Sequence, residues 1–143
     1  TICSNDVLSL FKDRKGDVFV GTSWGLCRYN SQLDNFVTII HVGSMASVTD
    51  IYEDMYNNLW IATSNRGVFC YNTVGEEWKH FEHIREDLTT ITSNSVITLF
   101  EDRKGTMWFG TNGGGLCSFS KETETFVDFD PENVWLPDKV IYR

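Results

Sequence analysis

Three aspartates, Asp13, Asp54 and Asp102, stand at one offset of a recurring stretch, and a carboxylate repeated this way invites a metal or acid-base reading. Their neighbours give them another task. Asp13-Arg14-Lys15-Gly16 and Asp102-Arg103-Lys104-Gly105 place Asp at the start of a type I turn, where its carboxylate accepts backbone N–H groups, and Gly where the chain needs positive φ. Asn57 takes the glycine position in the middle stretch, and Asn is among the residue types that tolerate the left-handed conformation. The turn role is therefore preferred for all three. Among the histidines, His80-x-x-His83 with Glu82 between is the one cluster, but residues three apart on a strand point to opposite faces and cannot form a metal face there. Ser4 and Ser93 occupy repeat positions rather than a Gly-x-Ser-x-Gly turn. Gly110-Thr-Asn-Gly-Gly-Gly115 lacks the spacing and following helix of a phosphate cradle. Cys27 and Cys117 fall at equivalent repeat positions, farther apart than the about 7 Å between Cα atoms that a disulfide allows. Cys70 lies one residue further along its strand, Cys3 is near the N-terminal end, and no Cys-x-x-Cys occurs. The cysteines read as small buried hydrophobes, although an oxidising compartment would permit bridges. No catalytic set, metal set or cofactor follows from these residues.

The elements that carry them repeat three times, over 4–39, 45–81 and 93–129. The anchors Val7, Val48 and Val96 are separated by 41 and 48 residues, a period of propeller blades or helical arrays. Each unit holds four short runs rich in β-branched and aromatic residues, closed by turn signals, which predicts antiparallel strands. The second runs, Val18 to Thr22, Leu59 to Thr63 and Met107 to Thr111, are nearly continuous in apolar character, as expected of strands covered on both faces. No helical stripe of useful length is present. The fold expected is all-β: a β-propeller segment of about three four-stranded antiparallel blades plus the start of a fourth.

With 41% apolar and 14% aromatic residues the chain can build a core, and no run approaches the ~18 apolar residues of a membrane-spanning helix. Its net charge of −8 argues against nucleic acid as a partner, since phosphate binding needs a basic surface. Pro137-Asp138-Lys139-Val140-Ile141-Tyr142, within 136–143, resembles a fourth opening strand, with Val140 44 residues after Val96. Propellers usually close with about four to eight blades, so three blades make an arc and the chain reads as a segment of a longer protein.

From Ser93 to Leu116 the pattern Ser-Asn-x-Val, Glu-Asp-x-x-Gly-x-x-Trp-x-Gly-Thr, Gly-Gly-Leu resembles the periplasmic propeller repeat of hybrid two-component sensor histidine kinases of Bacteroides type. All three units share it, with Phe19 for the Trp of the first and Asn57 and Ala62 for glycines of the second. The resemblance implies a sensor: a periplasmic propeller, part of an inner-membrane protein, that binds a ligand, commonly a glycan breakdown product, and signals to a kinase across the membrane. The kinase and other output parts would lie outside this chain, which is expected to be non-catalytic. The alternative is a non-sensing propeller scaffold that holds partner proteins or dimerises the receptor.

Topology confines a ligand surface. In a four-stranded blade the loop between second and third strands emerges on the same side as the connection to the next blade. That side would carry Ser23-Trp24-Gly25, Asn65-Arg66-Gly67 and Asn112-Gly113-Gly114, with connectors around His41, His83 to Thr92 and Asn133-Val134-Trp135. Trp24 beside Asn65, Arg66 and Asn112 suits an oligosaccharide: an apolar ring face stacks and planar polar groups bond the hydroxyls. A second candidate is the innermost-strand column Ser9, Asp50 and Thr98, where Asp50 could bind a cation or a sugar hydroxyl. The arc would leave Phe19, Trp108 and Phe109 uncovered at its ends, predicting self-association, as a dimer in which the tail from Pro131 to Arg143 adds a strand to its partner.

Overall fold

The computed structural model describes residues 2–40 and 46–129. The expected fourth opening strand and the tail to Arg143, the connector at His41 and the Asn133–Trp135 loop all lie outside the described residues. Twelve strands, and no helix, occur among the described residues. They form three antiparallel sheets in simple meander order: β1 Val7–Lys12, β2 Val18–Thr22, β3 Gly25–Asn30, β4 Asn35–Ile40; β5 Val48–Glu53, β6 Asn58–Thr63, β7 Val68–Asn72, β8 Glu77–Phe81; and β9 Val96–Glu101, β10 Met107–Thr111, β11 Gly115–Ser120, β12 Thr125–Phe129. The first strand of the middle sheet lies against the first strands of both neighbours, so the sheets stack as successive blades with β1, β5 and β9 innermost.

The turns between first and second strands form as their sequences dictate. Gly16, Asn57 and Gly105 adopt φ of 91°, 65° and 82°. Asp13 Oδ1 accepts Asp17 N at 2.8 Å, Asp54 Oδ1 accepts Tyr56 N and Asn58 N at 2.8 and 2.9 Å, and Asp102 Oδ1 accepts Lys104 N and Thr106 N at 2.9 and 3.0 Å. Register adds what the sequence does not announce: the pairing slips by one residue at Leu8, Thr49 and Ile97, a bulge at the same position of all three innermost strands.

The core sits between blades. Phe19 and Leu26 meet Val48, Ile51, Leu59 and Ile61 at the first junction. Trp60, Ala62 and Val68 meet Val96, Met107 and Phe109 at the second. Along β6 the alternation is complete: Leu59 and Ile61 face the first blade, Trp60 and Ala62 face the third, and all four are at most 1% exposed. Phe19 and Phe109 are therefore junction residues rather than end-face residues, and the expectation that they are uncovered is corrected. Exposed apolar residues of the outer faces include Val7 and Leu10 on the first blade and Phe100 and Val127 on the third, with Trp108 half-buried against Phe129.

The cysteine reading holds for Cys70 and Cys117, which are free and buried. It fails for Cys3 and Cys27, which form a disulfide with Cα atoms 6.2 Å apart. Strand position excluded a Cys27–Cys117 pair but left open a partner from the segment that precedes a first strand. Cys3 lies four residues before Val7, as Thr92 lies four before Val96, and Thr92 contacts the Cys117 sulfur. The disulfide makes covalent, in the first blade, a contact that the third blade makes without a bond.

Candidate functional site

Each turn between second and third strands bonds back to the incoming linker of its own blade. Ser23 N donates to Asp6 O, Ser64 N to Ser47 O and Asn112 N to Ser95 O, at 2.9–3.0 Å. Inside each turn a buried threonine closes the loop: Thr22, Thr63 and Thr111 Oγ1 donate to the carbonyls of Gly25, Gly67 and Gly115 at 2.8–3.0 Å. Turns and linkers therefore share one end of the molecule, as topology required, and Trp24, Asn65, Arg66 and Asn112 are all exposed there.

These four residues are distributed over three blades, so a ligand that touches all of them spans the rim. Trp24 is 47% exposed and its backbone N–H is held by Thr22 Oγ1. Arg66 is partly committed: its Nε lies 3.4 Å from Glu82 Oε2, while Glu82 Oε1 stands 3.5 Å from His80 Nδ1. His80 stacks on Phe69 at 4.0 Å, and its Nε2 lies 2.6 Å from Arg66 O. The His83 ring turns elsewhere, to Ile91 O at 2.8 Å. Glu82 and His80 thus hold the arginine at the rim, a positioning that sequence spacing did not reveal.

Asp50 is not part of this rim. It is 7% exposed, and its Oδ2 accepts Leu99 N and Thr98 Oγ1 of the next blade at 3.0 and 3.3 Å. Ser9 Oγ likewise donates to Val48 O and Thr49 Oγ1 to Val96 O. This polar column ties neighbouring blades near the axis.

A second concave feature, a cleft of about 220 Å³, opens between the second and third blades at the opposite end. Trp60, Phe81 and Phe119 form its apolar wall, with Lys79, Lys121 and Glu124 around it. Lys79, Lys121 and Glu124 are each engaged. Lys79 pairs with Glu124, whose hydrogen bond raises the lysine pKa; Lys121 Nζ sits 3.3 Å above the Tyr56 ring and 3.5 Å from Asp54 Oδ2. Burial pushes the Asp54 carboxyl up, but hydrogen bonds from Trp60, Asn58 and Tyr56 outweigh it and hold the pKa below the usual carboxylate value. Burial drives the Cys70 thiol on the cleft wall to about 12, which leaves it protonated and unreactive.

Meander sheets of four strands, stacked through their faces with innermost strands side by side, define a β-propeller segment. The model of the two-component regulator propeller family matches residues 42–65 and 90–113. Histidine kinase P4 of Formosa agariphila is 38% identical over 72 residues, covering 44% of this chain and 5% of its own length. Among solved structures, the extracellular domain of the hybrid two-component system BT3049 of B. thetaiotaomicron superposes over 97% of this chain with TM-score 0.84 and 22% identity. The extracellular domain of the one-component system BT4673 of the same organism does so over 98% with TM-score 0.77 and 25% identity. The chain spans about a fifth of those two solved chains, 20% and 19%, and 5% of the curated relative.

Proposed function

We propose that this chain is a ligand-sensing segment of an extracytoplasmic propeller, part of an inner-membrane hybrid two-component sensor kinase that responds to glycan-derived oligosaccharides from the periplasm. The segment itself is non-catalytic; kinase chemistry belongs to other parts of the parent. The observation that carries the reading is the rim where Trp24, Asn65, Arg66 and Asn112 are exposed at one end of three consecutive blades. An exposed indole offers a sugar a stacking face, and amides with a guanidinium held by Glu82 offer planar hydrogen-bonding partners. The Cys3–Cys27 disulfide supports an oxidising compartment. Isothermal titration of the intact sensor half with a panel of oligosaccharides tests the site: binding is expected, and an affinity unchanged in Trp24→Ala/Arg66→Ala rules this rim out. The second reading, a scaffold that holds partners or dimerises, is favoured by the exposed Leu10 and Phe100 on the two outer blade faces. A sensor half that binds no saccharide yet dimerises through those faces would select it.

A further inference from the structure

The cleft between the second and third blades has unused hydrogen-bonding capacity in its walls. Trp60 and Cys70, 1% and 7% exposed, form its deep end, and Phe81 and Phe119 flank it from the two blades. Lys79 and Glu124 stand exposed at its opening and join one blade to the other by their ion pair. Asn72 Nδ2 donates to Asn58 Oδ1 at 2.9 Å and Asn58 Nδ2 to Asp54 Oδ2 at 3.1 Å, so each amide keeps a second N–H. Lys121 has more to give: its Nζ is buried and makes no hydrogen bond among the described residues, although an ammonium carries three donors. A buried donor left this way points to a partner that the protein itself does not supply. Asp54 does not need the lysine, since four other hydrogen bonds already reach its carboxylate. The Lys121 side chain is 30% exposed, and its flexible stem lets the ammonium turn from the Tyr56 ring into the cleft.

We infer that this cleft is a binding site for a single uncharged, hydroxylated ring such as a pyranose, with its apolar face on Phe81 and Phe119 and its oxygens on the Lys121 ammonium and the spare amide N–H groups. Size, charge and polarity each narrow the ligand. At about 220 Å³ the cleft is smaller than the about 300–1,000 Å³ that hold drug-sized ligands, so it takes one ring rather than a chain. Each lysine is already matched by a carboxylate, Lys79 by Glu124 and Lys121 by Asp54, and Glu77 on the lining adds a negative charge, so an anion gains no net attraction. A cation would sit against two ammonium groups. A wholly apolar ring would strand the amide and ammonium donors in a site closed to water. The ligand class comes from the cleft's own lining and does not rest on what the rim binds.

The indole N–H resonances of the 143-residue chain test it, with the Trp60 signal assigned through Trp60→Phe. Titration with glucose, galactose, mannose and fucose is expected to shift the Trp60 signal saturably for at least one sugar, with a Kd of about 1–10 mM, the range that ligand efficiency sets for one ring. Lys121→Met keeps the stem and removes the ammonium, and is expected to weaken binding about 10- to 100-fold, as for the loss of a hydrogen bond to a charged group. Should that variant lose cooperative unfolding, Cys70→Leu fills the cleft from the facing blade and is expected to abolish the shift; undiminished binding there overturns the site. No Trp60 shift with any of the four sugars, a folded Lys121→Met that binds unweakened, or saturation by glucuronate or toluene in place of the neutral sugars also overturns the inference. A sugar that shifts the Trp24 signal alone reports the rim and overturns the cleft site, whereas a Trp60 response with Trp24 silent supports the cleft and leaves the rim without a ligand.

Discussion

Replacing Asp54 by Ala should be among the most damaging single changes in this chain, and the reason is the indole it holds. Asp54 is fully buried and accepts four hydrogen bonds, from Tyr56 N, Asn58 N, Asn58 Nδ2 and Trp60 Nε1, at 2.8–3.1 Å. The backbone donors lie in a turn that water can reach once the carboxylate is gone. Trp60 is far less accessible: it is 1% exposed, with Phe109 and Phe119 rings packed at 5.4 and 5.0 Å. Stranding its N–H costs about 1–3 kcal/mol, and each hydrogen bond to a charged group contributes about 1.5–3 kcal/mol, so Asp54→Ala should cost about 3–4 kcal/mol in urea unfolding followed by circular dichroism. The first blade already shows the partner change. Phe19 stands where Trp60 does, and Asp13 keeps its turn bond without an indole. Trp60→Phe should accordingly cost less, about 1–2 kcal/mol, and the double variant should cost clearly less than the sum, because the stranded donor has been removed. Asp102→Ala should cost less than Asp54→Ala, since Trp108 is only half-buried. The folded pKa of Asp54 is held below its ordinary value, so its contribution is complete above the unfolded value near 3.9 and is lost as pH falls from there through the folded pKa. Asp54→Asn should flatten that acid limb. Additive costs for Asp54→Ala and Trp60→Phe would refute the reasoning.

Two further outcomes follow from the first blade. Breaking the Cys3–Cys27 bond opens a loop with sequence separation 24, worth about 3 kcal/mol by chain entropy, so dithiothreitol or Cys3→Ser should lower the urea midpoint markedly; an unchanged midpoint would show that the bond adds nothing. A Cβ at Gly21 would stand 2.0 Å from Ser9 Oγ and 2.6 Å from Val48 Cγ1, so Gly21→Ala should destabilise by about 1–3 kcal/mol in the same assay, and a neutral result would mean that the junction yields more easily than its packing suggests.

The strands, their order and the first turns were legible because each is encoded locally. An Asp followed three residues later by a residue that accepts positive φ specifies its turn wherever it occurs, and Asn57 shows that the rule survives substitution. The near-continuous apolar second strands announced burial on both faces, and β6 has it. What was not legible depends on residues of different blades meeting. Cys3 pairs with Cys27 through a linker whose path no periodicity describes, and Phe19 and Phe109 face inward because alternation along a strand fixes relative sides but not which side meets a neighbour.

The same distinction separates the candidate residues. Trp24, Asn65, Arg66 and Asn112 could be placed at one end because their turns belong to single blades; that Glu82 and His80 brace Arg66 could not, since β8 had to be laid beside β7 first. Asp50 looked like a channel carboxylate because it shares an innermost-strand column with Ser9 and Thr98, whereas its partners Thr98 and Leu99 lie 48 and 49 residues away on the next blade. A polar residue on an innermost strand therefore has two possible employers, the channel and the adjacent blade, and here the adjacent blade engages it. At the rim turn of the third blade the backbone of Asn112 bonds within its own unit, its N–H to Ser95 O and its carbonyl to Ser93 Oγ. Side chains can vary there while the blade keeps its shape, which is the freedom a ligand-reading surface needs.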